Sequence, residues 1–150
     1  MSRLARRKYS AELNMPDYKI MGTLTADASK QLTNMVVNQD TSDNDKIVST
    51  IVTLLGSQIK NVKADKLEAP VESKYQISTN YNTENPVGIF YVISEGRLTL
   101  EVGKNKIDMQ PNKVYFVNDR NAYRVFKNDK TRTVVLSGIF AWDKDKHGGS

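Results

Sequence analysis

The sequence contains few of the side chains that proteins use for metal binding or nucleophilic catalysis. It has no cysteine and one histidine, His147, which lies in a Lys-, Gly- and Ser-rich tail. Serine–histidine catalysis would have to use this tail residue, and thiolate chemistry is excluded. We expect His147 to lie on the solvated surface. Two carboxylate pairs, Asp43 with Asp45 and Asp143 with Asp145, stand in polar segments that are typical of solvated surface.

Positive charge is concentrated at the amino end of the chain. The sequence has 22 Lys and Arg against 17 Asp and Glu, a formal net charge of +5. Four cations precede the first acid, Glu12: Arg3, Arg6, Arg7 and Lys8. Such a segment can bind phosphate backbone through counterion release or lie against an acidic protein surface. We predict that residues 1–17 form a basic arm and that these cations bind a partner, with a solubilising tail as the plain alternative.

Aromatic and basic residues alternate in the second half of the chain. They are Tyr115, Phe116, Tyr123 and Phe126, with Arg120 and Arg124. A face that combines aromatic rings and cations can bind single-stranded nucleic acid. Alternating aromatics in short strands more often form core, with the arginines directed outward. We expect that second arrangement here.

The first half of the chain mixes strand and helix signals. Residues 18–24 alternate apolar and polar side chains, which predicts a strand. Residues 25–40 fit either a short helix or a strand. From Ser42 onward apolar residues recur at helical spacing behind a capping position, which predicts a helical insertion over about residues 43–63. Gly56 and several β-branched residues weaken that helical pattern.

After Pro70 the sequence pattern is typical of a β domain. The segment 87–93 is continuously apolar, typical of a strand buried on both faces, and other short strands alternate. Turn residues such as Asn85-Pro86 and Pro111-Asn112 separate them, which predicts an antiparallel sandwich or barrel. The longest apolar run is too short to span a bilayer, and no apolar segment follows the basic start as in a signal peptide. We therefore expect cytoplasmic synthesis. The composition of residues 143–150 predicts a polar tail.

The segment 90–103, followed by 107–117, resembles the centre of the cupin, or double-stranded β-helix, family. That family has an apolar strand ending at a glycine, here Gly96, then a hairpin and a Pro-Gly-Asp turn, here Pro111-Asn112-Lys113. Asparagine is well suited to positive φ, so Asn112 keeps this turn available. The resemblance covers about residues 83–140. It implies a mainly β, antiparallel jelly-roll barrel over residues 18–142, with the amino-terminal arm and one or two helices.

The same resemblance implies a metal site, and this chain departs from it. The positions of the family's four ligands hold Thr83, Asn85, Ile89 and Tyr123, although Glu84 is adjacent. Transition metals in such barrels are held by neutral imidazole and carboxylate. We therefore expect no metal and no other cofactor, and we expect these four residues to line a pocket in the barrel mouth.

Three functions fit these observations, and a non-enzymatic structural or assembly protein fits best. Its partners would be other subunits of a homo-oligomer, as in a phage or viral particle, because jelly rolls recur in capsids. The arm could also take nucleic acid, and no membrane partner is expected. The alternative is a metal-free, cupin-like module that senses a ligand or binds carbohydrate. A metal-independent sugar isomerase or epimerase would need a base in the barrel that the sequence does not place.

Overall fold

The computed structural model describes residues 3–148, which form three helices and two antiparallel sheets. The helices are α1 (Arg3–Glu12), α2 (Ala26–Val37) and α3 (Asn44–Leu55). The strands are β1 (Tyr18–Thr23), β2 (Ile59–Leu67), β3 (Val71–Glu72), β4 (Val87–Glu95), β5 (Thr99–Val102), β6 (Asn105–Asp108), β7 (Lys113–Val117), β8 (Tyr123–Lys127) and β9 (Thr133–Ala141).

The strands form two sheets whose order departs from chain order. One sheet has five strands in the order β1-β7-β4-β9-β2, and the other has four in the order β3-β8-β5-β6. Every strand pair within them is antiparallel. The chain crosses repeatedly between the sheets, and the fold is the mainly β, antiparallel jelly roll that the sequence predicted.

The central strand β4 of the five-stranded sheet is covered on both faces. In β4, Phe90 and Val92 belong to a core shared with the three helices, whereas Ile93 belongs to a second core between the two sheets. Alternate residues of one strand therefore enter two different apolar layers. This explains the continuous apolar run at 87–93 and confirms that it is a strand covered on both sides.

The helices account for the ambiguous signals in the first half of the chain. Residues 26–37 are helical, and the Thr25 side chain caps α2 by accepting a hydrogen bond from the Ala28 N–H at 3.1 Å. The predicted insertion over 43–63 is helical only as far as Leu55. Gly56 then takes the left-handed conformation at φ 69°, which ends α3, and β2 follows. Residues 3–148 thus contain three helices where one or two were expected.

The amino-terminal segment is part of the domain core. Three of its residues are buried among the helices and the five-stranded sheet: Tyr9, Leu13 and Met15. The expectation of an arm outside the core over residues 1–17 is therefore wrong for the described residues 3–17. Tyr9 and Leu13 lie one helical turn apart, so α1 has a narrow apolar side that packs on the domain.

The turn after β6 has the backbone that the resemblance implied. Asn112 has φ 71°, its N–H donates to the Ile93 carbonyl at 2.7 Å, and its carbonyl accepts from the Leu24 N–H at 2.7 Å. Gly96, at the end of β4, has φ 90°, and a Cβ there would stand 2.3 Å from the Arg132 carbonyl oxygen. Both positions therefore need residues that tolerate positive φ.

Candidate functional site

Helix α1 is held against the domain by Tyr9, Ser10 and Leu13. The Tyr9 ring packs edge-on against Tyr81 with centroids 5.1 Å apart, and its hydroxyl donates to the Asn82 carbonyl at 3.3 Å. The Ser10 hydroxyl accepts a hydrogen bond from the Asn118 amide at 3.0 Å. These contacts fix the position of α1 on the domain. The side chains on the outer side of the helix are therefore also held in a fixed position.

Arg120 is the centre of this attachment. Its side chain is fully buried and forms an ion pair with Asp119. Nε donates to the Asn80 carbonyl at 3.1 Å, one terminal nitrogen donates to the Val87 carbonyl, and the other donates to the Tyr9 hydroxyl at 3.3 Å. Arg120 thus joins the β7–β8 turn to α1 and to the start of β4.

The role of Arg120 was missed from the sequence, where residues 118–121 appear as an ordinary polar turn. The only signal was an adjacent Asp-Arg pair between two core strands. Burial raises the pKa of Asp119, and the Arg120 guanidinium opposes that rise. The pair is therefore an internal support of the fold, because a buried charge needs its partner.

The outer side of α1 combines cations with an apolar side chain. Leu4, Arg7, Lys8 and Ala11 are all exposed, and their spacing places them on one face of the helix. Leu4 is 75% exposed, the highest value among the large apolar residues that the structure describes. Within residues 3–148, neither Arg7 nor Lys8 has an ion-pair partner. We call Leu4, Arg7, Lys8 and Ala11 the outer face of α1.

The four predicted partner-binding cations therefore differ in their surroundings. Arg7 and Lys8 point to solvent, whereas Arg6 is half-buried. The side chain of Arg3 lies outside what the structure describes. Two of the four cations thus belong to the outer face.

The four residues expected to line a barrel pocket are not brought together. Thr83 and Asn85 are exposed at an open cleft of about 710 Å³ between the end of α1, the segment before β4 and the end of β9. Ile89 packs against the core between the sheets. Tyr123 is 7% exposed in that same core. The predicted pocket is therefore wrong as a single site.

Tyr123 is held as a neutral hydrogen-bonding group. Its hydroxyl donates to the Gln76 side-chain oxygen at 2.9 Å. Burial raises the pKa of both Tyr91 and Tyr123, and the nearby phenol and Asp119 add to the rise at Tyr123. A protonated phenol that already has a hydrogen-bond partner is a poor metal ligand. The residues at the family's ligand positions do not fit a transition metal.

His147 is buried, and the expectation that it lies on the solvated surface is wrong. It is 3% exposed, and its ring packs edge-on against Phe140 with centroids 5.3 Å apart. Nδ1 accepts from the Asp143 N–H at 2.9 Å, and Nε2 faces the Leu55 carbonyl at the end of α3. Both ring nitrogens therefore have backbone partners, and residues 143–148 pack on the domain instead of forming a free tail. Residues 149–150 lie outside the described part.

Most of the alternating aromatic and basic residues are buried. Tyr115, Phe116 and Tyr123 are buried in the two cores, as expected. The expectation that both arginines point outward is wrong for Arg120. Arg124 lies between the rings of Tyr75 and Phe126, 4.7 and 4.8 Å from their centroids, and is paired with Glu101 at 3.1 Å. Its charge is therefore already matched.

The described residues also bear on metal binding and on membrane crossing. Residues 3–148 hold no group of three or more His, Cys, Asp or Glu side chains arranged to bind a metal ion. Over the same residues, every helix falls short of the length and apolar character that crossing a bilayer requires.

No protein-family model and no curated protein matches the chain. Solved structures similar to it include the Cnp3 cupin domain of Schizosaccharomyces pombe, with 20% sequence identity and a TM-score of 0.42, covering 63% of this chain and 70% of that one. A cupin-2 domain-containing protein from Shewanella frigidimarina has 12% identity and a TM-score of 0.37, covering 64% and 97%. Likenesses of this size carry no inference about what this chain binds or does.

Proposed function

We propose that this protein is a non-enzymatic assembly protein that attaches to other protein subunits through the outer face of α1. The observation that carries the proposal is the exposed row of Leu4, Arg7 and Lys8 on a helix that is fixed to the domain. A rigid helix loses little conformational entropy on binding, so its contacts contribute more of their energy to affinity.

The composition of the outer face favours a protein over a nucleic acid as the partner. Phosphate backbone would be bound by Arg7 and Lys8 and would leave Leu4 without a role. An acidic protein surface with an apolar centre would use all three side chains, because it can bury Leu4 and place carboxylates around it. We therefore propose an acidic surface on another subunit.

We further propose that the assembly is a homo-oligomeric particle, such as a phage or viral particle. Jelly rolls recur as capsid subunits, which supports this setting by fold-level analogy.

Ligand binding remains the second candidate, supported by the cleft beside Thr83 and Asn85. Its volume of about 710 Å³ lies within the range of small-molecule sites. Most of the residues around it are exposed, and an open polar cleft gives a small ligand little apolar enclosure. This candidate predicts a saturable small ligand, which Thr83→Trp would displace without changing the protein's mass in solution.

Charge reversal on α1 tests the assembly proposal. We expect the Arg7→Glu/Lys8→Glu variant to remain folded, because both side chains are exposed, and to lose most of its assembly. Native mass measurement near 0.15 M salt checks this, and raising the salt should weaken assembly of the parent chain in the same direction. Lys104→Glu/Lys130→Glu is the matched control, since it makes the same charge change at two exposed lysines elsewhere. Equal assembly of the α1 variant and the control would contradict the proposal.

A further inference from the structure

The strand β2 forms one border of the five-stranded sheet. It pairs with β9 on one side, and within residues 3–148 no strand pairs with its other side. Most of β2 is exposed, including Lys60, Asn61, Val62 and Lys63. An exposed edge of this kind offers backbone N–H and C=O groups to another extended chain.

The two faces beside this edge differ in chemistry. Lys60 and Lys63 pair with Ile139 and Ser137 of β9, which places both lysines on the face toward the four-stranded sheet. The bulge between Lys60 and Lys63 keeps them on the same face despite their odd spacing. Asp65 shares that face, and Lys66 is already paired with Glu68 at 3.5 Å.

The opposite face is an apolar groove. It has a volume of about 510 Å³ and lies between β2 and the facing ends of α2 and α3. Val62 and Val48 line it and are 38% and 37% exposed, and Met35, Val36 and Ala64 lie beside them. Two partly exposed valines therefore line one groove next to a free strand edge.

We propose that the free edge of β2 binds an extended segment of a different protein in which acidic and apolar residues alternate. Added as a sixth strand, such a segment would point alternate side chains to opposite faces of the sheet. Its apolar residues would enter the groove beside Val62, and its carboxylates would lie next to Lys60 and Lys63. The surface is separate from the outer face of α1 and does not depend on the role proposed for that helix.

Charge argues for a different protein over a second copy of this chain. Each β2 strand carries three lysines, Lys60, Lys63 and Lys66, against the single carboxylate Asp65, so pairing two copies would bring together two strands of the same net charge. Like charges directly opposite each other destabilise a strand pair. Edge lysines alone would serve to keep strands apart. The apolar groove beside them is what indicates a binding role.

A peptide pair tests the proposal on the full-length chain. The probe is a labelled peptide of alternating Glu and Val, and its control has the same composition with all Val residues in one block. We expect saturable binding of the alternating peptide alone, with slowed amide hydrogen exchange in residues 59–67. Lys63→Glu should weaken binding by about tenfold or more, since it places a like charge beside the peptide. Lys104→Glu, an exposed lysine outside this surface, should leave binding unchanged.

Each alternative outcome overturns the proposal. Equal binding of the block peptide would show that composition alone, and not strand pairing, drives the contact. Slowed amide hydrogen exchange outside residues 59–67 would show that the peptide binds at a different place. Self-association of the chain with protection at residues 59–67 would make a second copy the occupant. None of these outcomes depends on the charge-reversal result at Arg7 and Lys8, so the two proposals can fail separately.

Discussion

At the scale of single residues, Arg120 combines complete burial with a partner for every nitrogen of its guanidinium. Its contacts reach Tyr9, which lies 111 residues earlier in the chain, as well as Asn80 and Val87. Because these partners belong to separate segments, one side chain ties α1, the segment before β4 and the start of β4 to the β7–β8 turn.

Removal of the Arg120 charge should be strongly destabilising. We expect Arg120→Met to lower the free energy of unfolding by about 3 kcal/mol or more, because Asp119 would be left buried without its partner. Adding Asp119→Asn to Arg120→Met should restore at least about 1 kcal/mol, since the double variant contains no unpaired charge. Urea denaturation of the two variants and of Asp119→Asn alone measures both effects. No restoration in the double variant would contradict the pairing.

Substitutions at Asn112 test the backbone conformation of the turn before β7. We expect Asn112→Gly to be neutral or slightly stabilising, because glycine accepts φ 71° and the buried Asn112 side-chain oxygen has no hydrogen-bond partner within residues 3–148. Asn112→Val should cost about 1 kcal/mol or more. Thermal melts compare the three proteins. A valine variant as stable as the parent would show that the turn does not hold this conformation.

At the scale of elements, α1 differs most from its expectation. A run of cations suggested an arm outside the core, yet Tyr9 and Leu13 place one side of the segment among the helices and the five-stranded sheet. Arg7 and Lys8 occupy the exposed side. This segment thus packs on the domain with one side and leaves the other side exposed.

Neighbouring residues of α1 should separate these two roles. We expect Tyr9→Ala to lower the free energy of unfolding by about 3 kcal/mol, as for other large aromatic residues removed from a core. Lys8→Ala should change it by no more than about 0.5 kcal/mol, because that side chain is exposed. Denaturant titration of both variants checks the contrast. A small effect of Tyr9→Ala would mean that α1 is not part of the cooperative core.

At the scale of the whole molecule, the central sheet separates two cores with different neighbours. The helices cover one face of this sheet, and the four-stranded sheet covers the other. Tyr123 and Ile89 face the layer between the sheets, whereas Thr83 and Asn85 lie at the open cleft. The residues at the family's ligand positions are therefore divided between interior and surface.

This division predicts the metal content of the purified protein. We expect no stoichiometric iron, manganese, nickel or zinc, because Tyr123 is already hydrogen-bonded to Gln76 and Ile89 has no ligand atom. Elemental analysis after dialysis against a chelator is the measurement. One equivalent of any of these metals that survives dialysis would contradict the structural interpretation.

The amino-acid sequence by itself determined the β character of the domain, the doubly buried strand at 87–93 and the positive φ at Asn112. These features depend on the alternation of apolar residues and on turn chemistry, which act between near neighbours in the chain. Only the tertiary structure decided that α1 packs on the core, that Arg120 and His147 are buried, and that Thr83 is far from the barrel interior. A polar side chain is buried only where partners satisfy it, and the Leu55 carbonyl that faces His147 lies 92 residues away. No local pattern reports a partner at that distance.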